Sequence, residues 1–151
     1  MIIHLVNNSD DLVKHWSFLW NGFVSLTDPK IGRQEVTEET YQKMMLGLAL
    51  NLDSVLAIGT NAKGLPLGFV GAQIVFSLQA VQEVRIHVLF SSGKDKDAYQ
   101  SLMKYVTSWA YGKGVNTLSI TSGRINGSSM RFFESKLGFH RAEVVFKKTI
   151  V

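Results

Sequence analysis

The chain has no cysteine among its 151 residues. That excludes a disulfide framework, a thiol nucleophile and a zinc–thiolate site together. Proline is scarce as well, at two residues, and no low-complexity or repeated segment interrupts the chain, so nothing marks a linker or a second domain. No apolar run reaches the ~20 residues that a membrane-spanning helix needs. The opening Met1-Ile2-Ile3-His4-Leu5-Val6 lacks the basic start and small-residue cleavage site of a signal peptide and reads as a first strand. Also missing are a Gly-x-Ser-x-Gly elbow, a Walker loop and a His-Glu-x-x-His pair, and His4, His15, His87 and His140 have no metal-ligand spacing. What is present is a composition of 46% hydrophobic and 19% charged residues, which excludes disorder and is ample for one core. The expectation is a single domain over residues 1–151, cytoplasmic, with no membrane contact.

The formal net charge is +4. An excess of this size suits a polyanionic ligand such as a nucleotide, coenzyme A or nucleic acid, and suits equally a solvated basic surface. A nucleic-acid-binding reading rests on this charge alone and ranks last. Trp16, Phe18, Trp20 and Phe23 fall at helical spacing, which makes them core rather than a platform for stacked bases.

Periodicity divides the chain into elements. Ser9 or Asp10 caps a helix running to about Leu26, with Leu12, Trp16, Leu19, Trp20 and Phe23 as its apolar stripe. A loop from Thr27 to Val36 leads to Thr37-Glu38-Glu39-Thr40. There acidic residues open a second helix, with Tyr41, Met44, Met45 and Leu48 inward and an end near Asn51. The period then changes. Ser54–Thr60, Leu65–Leu78 and Val81–Phe90 read as three strands joined by connections too short for a crossover, hence an antiparallel meander. Gly68 and Gly71 place a bulge or bend in the middle one. A long helix from about Lys96 to Tyr111 carries Leu102, Val106 and Trp109 and stops at Gly112 and Gly114. Val115–Thr121 is a strand, and a last strand runs from Phe139 to about Ile150.

Between those strands lies Asn126-Gly-Ser-Ser-Met-Arg-Phe-Phe-Glu-Ser-Lys-Leu-Gly-Phe139. Asn126 or Ser128 can cap a short helix whose stripe is Met130, Phe133 and Leu137, and Gly138 can end it. The run resembles the C-terminal signature of the Gcn5-related N-acetyltransferase (GNAT) family, Asn-x-x-Ala-x-x-Phe-Tyr-x-x-x-Gly-Phe. The element order βααβββαβαβ is similar to that family over nearly the whole chain. The resemblance implies an α/β fold with a largely antiparallel mixed sheet and helices on both faces. One departure is the C-terminus, where about a dozen residues stand in place of the family's usual pair of strands, so that either one long strand closes the sheet or the final pair is very short.

The resemblance further implies transfer of an acetyl group from acetyl-CoA to a primary amine by direct attack in a ternary complex. The family commonly dimerises, so a homodimer is also implied. The pyrophosphate loop would fall at Gly93-Lys94-Asp95-Lys96-Asp97-Ala98. There Ala98 conforms, Lys96 stands at an expected glycine, Asp95 and Asp97 have the wrong sign for a phosphate, and Ser91, Ser92, Gly93, Lys94 and Lys96 are the candidate holders. Asp95 or Asp97 can instead be the helix cap. The pantetheine arm would lie along backbone groups of Ile86 and Val88, where the third meander strand parts from the strand after the long helix, with Asn126 contacting the cofactor. Glu83 and His87 are the candidate bases. Glu83 stands one residue from the family's position, on the opposite face unless a bulge restores it, and His87 has an ordinary pKa suited to the task. Phe133 replaces the tyrosine that protonates the leaving thiolate, and Tyr99 is the candidate substitute. The alternative expectation is a GNAT-fold binding or structural module without cofactor or activity.

Overall fold

The computed structural model describes residues 1–26, 36–77, 81–93, 95, 97–121, 130–142, 148 and 150. They fall into two compact units, Met1–Thr121 and Ser122–Val151.

The first unit is built on a five-stranded sheet in the order β1-β2-β3-β4-β5. Its strands are β1 (Ile2–Leu5), β2 (Ser54–Thr60), β3 (Pro66–Phe76), β4 (Gln82–Ser91) and β5 (Leu118–Ile120). Neighbours pair antiparallel from β1 to β4, and β4 pairs with β5 in parallel. The fold class is therefore the mixed α/β sheet expected from the sequence. β2 matches its expected bounds, and every one of its residues is buried, as befits a central strand covered on both faces. The Asn61–Gly64 turn also forms, with Asn61 Oδ1 accepting from the N–H groups of Lys63 and Leu65.

Helices α1 (Ser9–Lys14), α2 (Trp16–Leu26) and α3 (Glu38–Leu50) cover one face, and α4 (Ala98–Gly112) covers the other. On the first face Leu12, Leu19, Tyr41, Met45 and Leu48 pack on Leu56, Ile58, Phe69 and Val88. Phe18 sits edge-on to Phe69 and Phe90 at 5.8 and 5.7 Å. Tyr41 is fully buried among Trp16, Trp20 and Phe23, 4.2 Å from the Phe23 ring, and its hydroxyl donates to the Leu19 carbonyl. Burial pushes its phenol far above the ordinary value. On the second face Leu102 and Val106 of α4 are completely buried, with Leu102 against the Gly68 position of β3.

Several element limits differ from the expected ones. The first helix breaks at His15, and its cap is Asn8, whose side chain accepts from the Asp11 N–H, rather than Ser9 or Asp10. The asparagine one residue earlier already supplies the acceptor that the helix start needs. α3 does open at Thr37-Glu38, with the Thr37 side chain accepting from the Thr40 N–H, and Asn51 does follow its last turn, but Met44 is exposed and Ala49 is buried instead. α4 begins at Ala98, not Lys96. It ends as expected near Gly112 and Gly114: Gly114 has φ +75° and Val115 N–H reaches back to the Ala110 carbonyl at 2.9 Å. That is a Schellman closure, with buried Val115 as its apolar clasp. Only Leu118–Ile120 of the expected Val115–Thr121 strand pairs.

In the second unit the expected signature helix is a π-helical turn over Phe132–Lys136, following helical Met130 and Arg131. Leu137 N–H bonds to the Phe132 carbonyl five residues back, so the α-helical stripe of Met130, Phe133 and Leu137 is lost. Phe133 instead lies edge-on to Phe132 and Phe139. Gly138 does end the turn, at φ +74°. Residues 139–142 are not in a strand, and most of the expected last strand, with Asn126, Lys94, Lys96 and residues 27–35 of the expected Thr27-to-Val36 loop, lies outside the described residues.

Candidate active site

The site grows out of one irregularity in β4. Its register with β3 pairs Gly71 with Val88 and Ala72 with Ile86, which leaves His87 as an extra residue. The sequence pointed to Gly68 and Gly71 as places for a bulge or bend; beside Gly68 the register with β2 shifts, leaving Leu67 of β3 as an extra residue. A shift also occurs at Gly71, but there the inserted residue is on the partner strand. A methyl group at Gly71 would lie 2.8 Å from Leu48 Cδ1 and 3.0 Å from Val88 Cγ1, so glycine gives α3 and the bulge room to meet.

The bulge changes which side chains share a face. Phe69, Gly71, Gln73 and Val75 of β3 stand opposite Phe90, Val88, Arg85 and Glu83 of β4. Odd-numbered residues before the bulge and even-numbered ones after it therefore point towards α1–α3. Glu83 and Arg85 share a face with Val88, and His87 joins them at the rim of the α3 side. Glu83 is buried and accepts from Arg85 Nη2 at 2.9 Å.

His87 Nε2 lies 3.2 Å from Gln73 Oε1. An amide oxygen can only accept, so Nε2 carries the proton and Nδ1 keeps its lone pair. The residue as a whole is exposed, but partial desolvation of its ring, and then the Arg85 charge, lower the pKa of His87 below its ordinary value. The ring is thus neutral and basic at neutral pH. It opens on a pocket of about 240 Å³ lined by Lys43, Met44 and Gly47 of α3, the cap residue Asn51, and Gln73 and His87 of the sheet. Lys43, Gln73 and Asn51 were not singled out in the sequence. Gln73 was the available signal, a polar residue inside an otherwise apolar strand.

The other feature of β4 is its edge. The ladder with β5 runs from Val84–Leu118 to Ile86–Ile120 and goes no further among the described residues, whereas β4 continues to Ser91. Ile86 is the last β4 residue in that ladder and Val88 lies two residues beyond it. Past Ser91, the Ser92 N–H bonds to the Leu67 carbonyl at 2.8 Å and the Gly93 N–H to Ser91 Oγ at 3.3 Å. Ser92 Oγ is buried without a partner among the described residues. Gly93 has φ +78°, with open space where a side chain would stand. Asp95 Oδ1 accepts from the Asp97 N–H at 2.9 Å, so Asp95 is the side-chain acceptor at the head of α4, while Asp97 occupies the cap position with no side-chain cap bond. Ala98 is buried and Tyr99 half-buried in the first turn. The structure thus brings Glu83, Ile86, His87 and Val88 together on β4, and Ser92, Gly93, Ala98 and Tyr99 along the loop into α4. Phe133 belongs to the second unit.

Solved structures share this architecture. An aminoglycoside 6'-N-acetyltransferase from Acinetobacter haemolyticus superposes with a TM-score of 0.72 at 15% identity, over 100% of both chains. The chain carries the GNAT fold. A second aminoglycoside 6'-N-acetyltransferase, from Acinetobacter baumannii, gives a TM-score of 0.70 at 15% identity, over 99% of this chain and 100% of that one. A third, AAC(6')-Iy, was solved with the bisubstrate analogue CoA-S-monomethyl-acetylneamine and gives 0.70 at 16% identity, over 99% and 98%. No protein-family model matches the chain, and no curated protein matches it by sequence. No helix of the described residues is long and apolar enough to cross a membrane.

Proposed function

We propose that this GNAT-fold chain is an N-acetyltransferase that moves an acetyl group from acetyl-CoA to a primary amine. The observation that carries the reading is the change in pairing along β4. Among the described residues the β4–β5 ladder ends at Ile86, and the bulge at His87 sits at the same place. An open strand edge offers unpaired backbone groups to an extended amide chain, and the pantetheine arm of coenzyme A is such a chain. Farther along, the Ser92 hydroxyl, unpartnered among the described residues, fits a phosphate oxygen, because a buried hydroxyl without a partner costs about 1–3 kcal/mol. The neighbour solved with a coenzyme A analogue supports the same ligand class.

The acetyl donor supplies an activated thioester. The chain's own groups would do the rest. Backbone N–H groups of the β4 edge around Val88 polarise the carbonyl oxygen as charge develops on it. The amine nitrogen forms the new C–N bond as the C–S bond breaks. Its proton passes to His87 Nδ1, which partial desolvation and Arg85 keep unprotonated at neutral pH. Glu83 is the second candidate base, though its carboxylate already holds Arg85. The thiolate leaves with a proton from Tyr99 or water.

Calorimetric or thermal-shift titration with acetyl-CoA tests the reading directly. Binding to the native state alone stabilises it by about 2.7 kcal/mol at a hundredfold excess over the dissociation constant. No shift at millimolar ligand would instead support the second reading, a GNAT-fold module without cofactor. What favours that alternative is the Asp95 carboxylate at the head of α4, where a phosphate would be expected.

A further inference from the structure

The pocket beside His87 has a charge pattern that bears on the acceptor. Its polar lining is Lys43, Asn51, Gln73 and His87, and its apolar wall is Met44 and Leu48. No aspartate or glutamate lines it among the described residues. Three carboxylates stand nearby in the chain: Glu39, paired with Lys43 at 3.1 Å, Glu83, paired with Arg85 at 2.9 Å, and Asp53, whose N–H donates to Asn51 Oδ1 but whose side chain is not among the lining residues. The Lys43–Glu39 pair is largely exposed, so it is weak and leaves Lys43 free to share its charge. Lys43 is the one formally charged side chain among the described lining residues. A polycation is repelled by such a lining, and a carboxylate is complementary to it.

We infer that the acceptor is a small amine that also bears a carboxylate, with the carboxylate held by Lys43 and the side-chain amides of Asn51 and Gln73 and the amine presented to His87. This rests on the acetyltransferase reading above. A volume of about 240 Å³ lies below the ~300–1,000 Å³ of drug-sized sites and suits a molecule of amino-acid or dipeptide size. It sets this chain apart in substrate charge from its aminoglycoside-acetylating neighbours, whose substrates are polycations.

The test offers matched amines as free acid and as amide, with glycyl-leucine and glycyl-leucinamide at the centre of the panel and kanamycin as the polycation. Coenzyme A release gives kcat/KM, and acetyl-CoA thermal shift is measured on the same preparation. The expected result is a preference of about tenfold for the acid, equal to ~1.4 kcal/mol, and no turnover of kanamycin. Lys43→Met should abolish that preference and Lys43→Glu should reverse it, both mainly through KM, while the thermal shift with acetyl-CoA stays unchanged. Lys43 is solvent-exposed, so both variants should fold. A preference for the amide or kanamycin, an acid/amide ratio unmoved by Lys43→Glu, or no turnover by protein that acetyl-CoA stabilises would each overturn the inference. Absence of the acetyl-CoA shift itself would overturn the transferase reading beneath it.

Discussion

The two halves of β4 make opposite use of the same strand geometry. From Val84 to Ile86 the strand is held on both sides, by β3 and by β5, and Val84 and Ile86 are buried. From His87 to Ser91 it is held by β3, its β5 side has no strand partner among the described residues, and its first residue is exposed. The first half satisfies its backbone internally and is therefore structure. The second has no β5 partner among the described residues and carries the exposed His87 ring, which is why the proposed chemistry is placed there. One inserted residue separates the two regimes.

Substitutions on either side of the bulge can break this contrast. His87→Gln should lower kcat by about 10²–10⁴-fold, the usual range for a lost general base, with thermal stability near that of the parent. Stopped-turnover rates across pH should show the parent's acid limb below the ordinary histidine pKa, because His87 is shifted down, and the variant should lack that limb. The stability sign follows from the same shift. The unfolded chain binds the proton more readily than the native one, so the parent loses stability as pH falls from the ordinary histidine value through the lowered one. Above that window the group contributes nothing. A His87→Gln protein that is fully active would remove the histidine from the mechanism and move the base to Glu83.

Val84→Ala, on the closed side, should do the reverse. Val84 has no exposed surface, and burying such a side chain is worth about 1.5–3 kcal/mol, so urea unfolding should show a loss of this size. The folded fraction should keep its turnover. A large fall in kcat without a stability change would show that the zipped half takes part in catalysis after all. Asp95→Asn has the smallest expected effect. It keeps an oxygen acceptor for the Asp97 N–H and removes a negative charge near the loop that would hold phosphate. Charge at a helix start is worth roughly 0.3–1 kcal/mol, so calorimetry should find acetyl-CoA bound up to about fivefold more tightly. Weaker binding would place the pyrophosphate elsewhere.

Much of the scaffold was legible because single residues announce it. The acidic start of α3 at Glu38 and Glu39, the Asn61 turn, the Gly114 stop and the unbroken apolar run of β2 are local, and local signals survive without tertiary knowledge. The departures all come from longer-range causes. Met44 looks like core by period, but it faces the pocket rather than the sheet. Phe133 leaves its α-helical stripe because one i→i+5 bond rotates the turn and sets the ring edge-on to Phe132 and Phe139. The candidate site was half visible. Glu83 and His87 were in view, yet the residues that give the pocket its charge, Lys43, Asn51 and Gln73, come from two other elements and meet only in the fold. Gly71 flagged the neighbourhood of the bulge, while the extra residue could be assigned to β4 only from the register.

Count the cross-strand couples on either side of that extra residue: Ala72 with Ile86, Gly71 with Val88. Excise His87 and each of these couples keeps its mate, with the ladder simply straightened. By its own pairing logic, the sheet has no need of the imidazole.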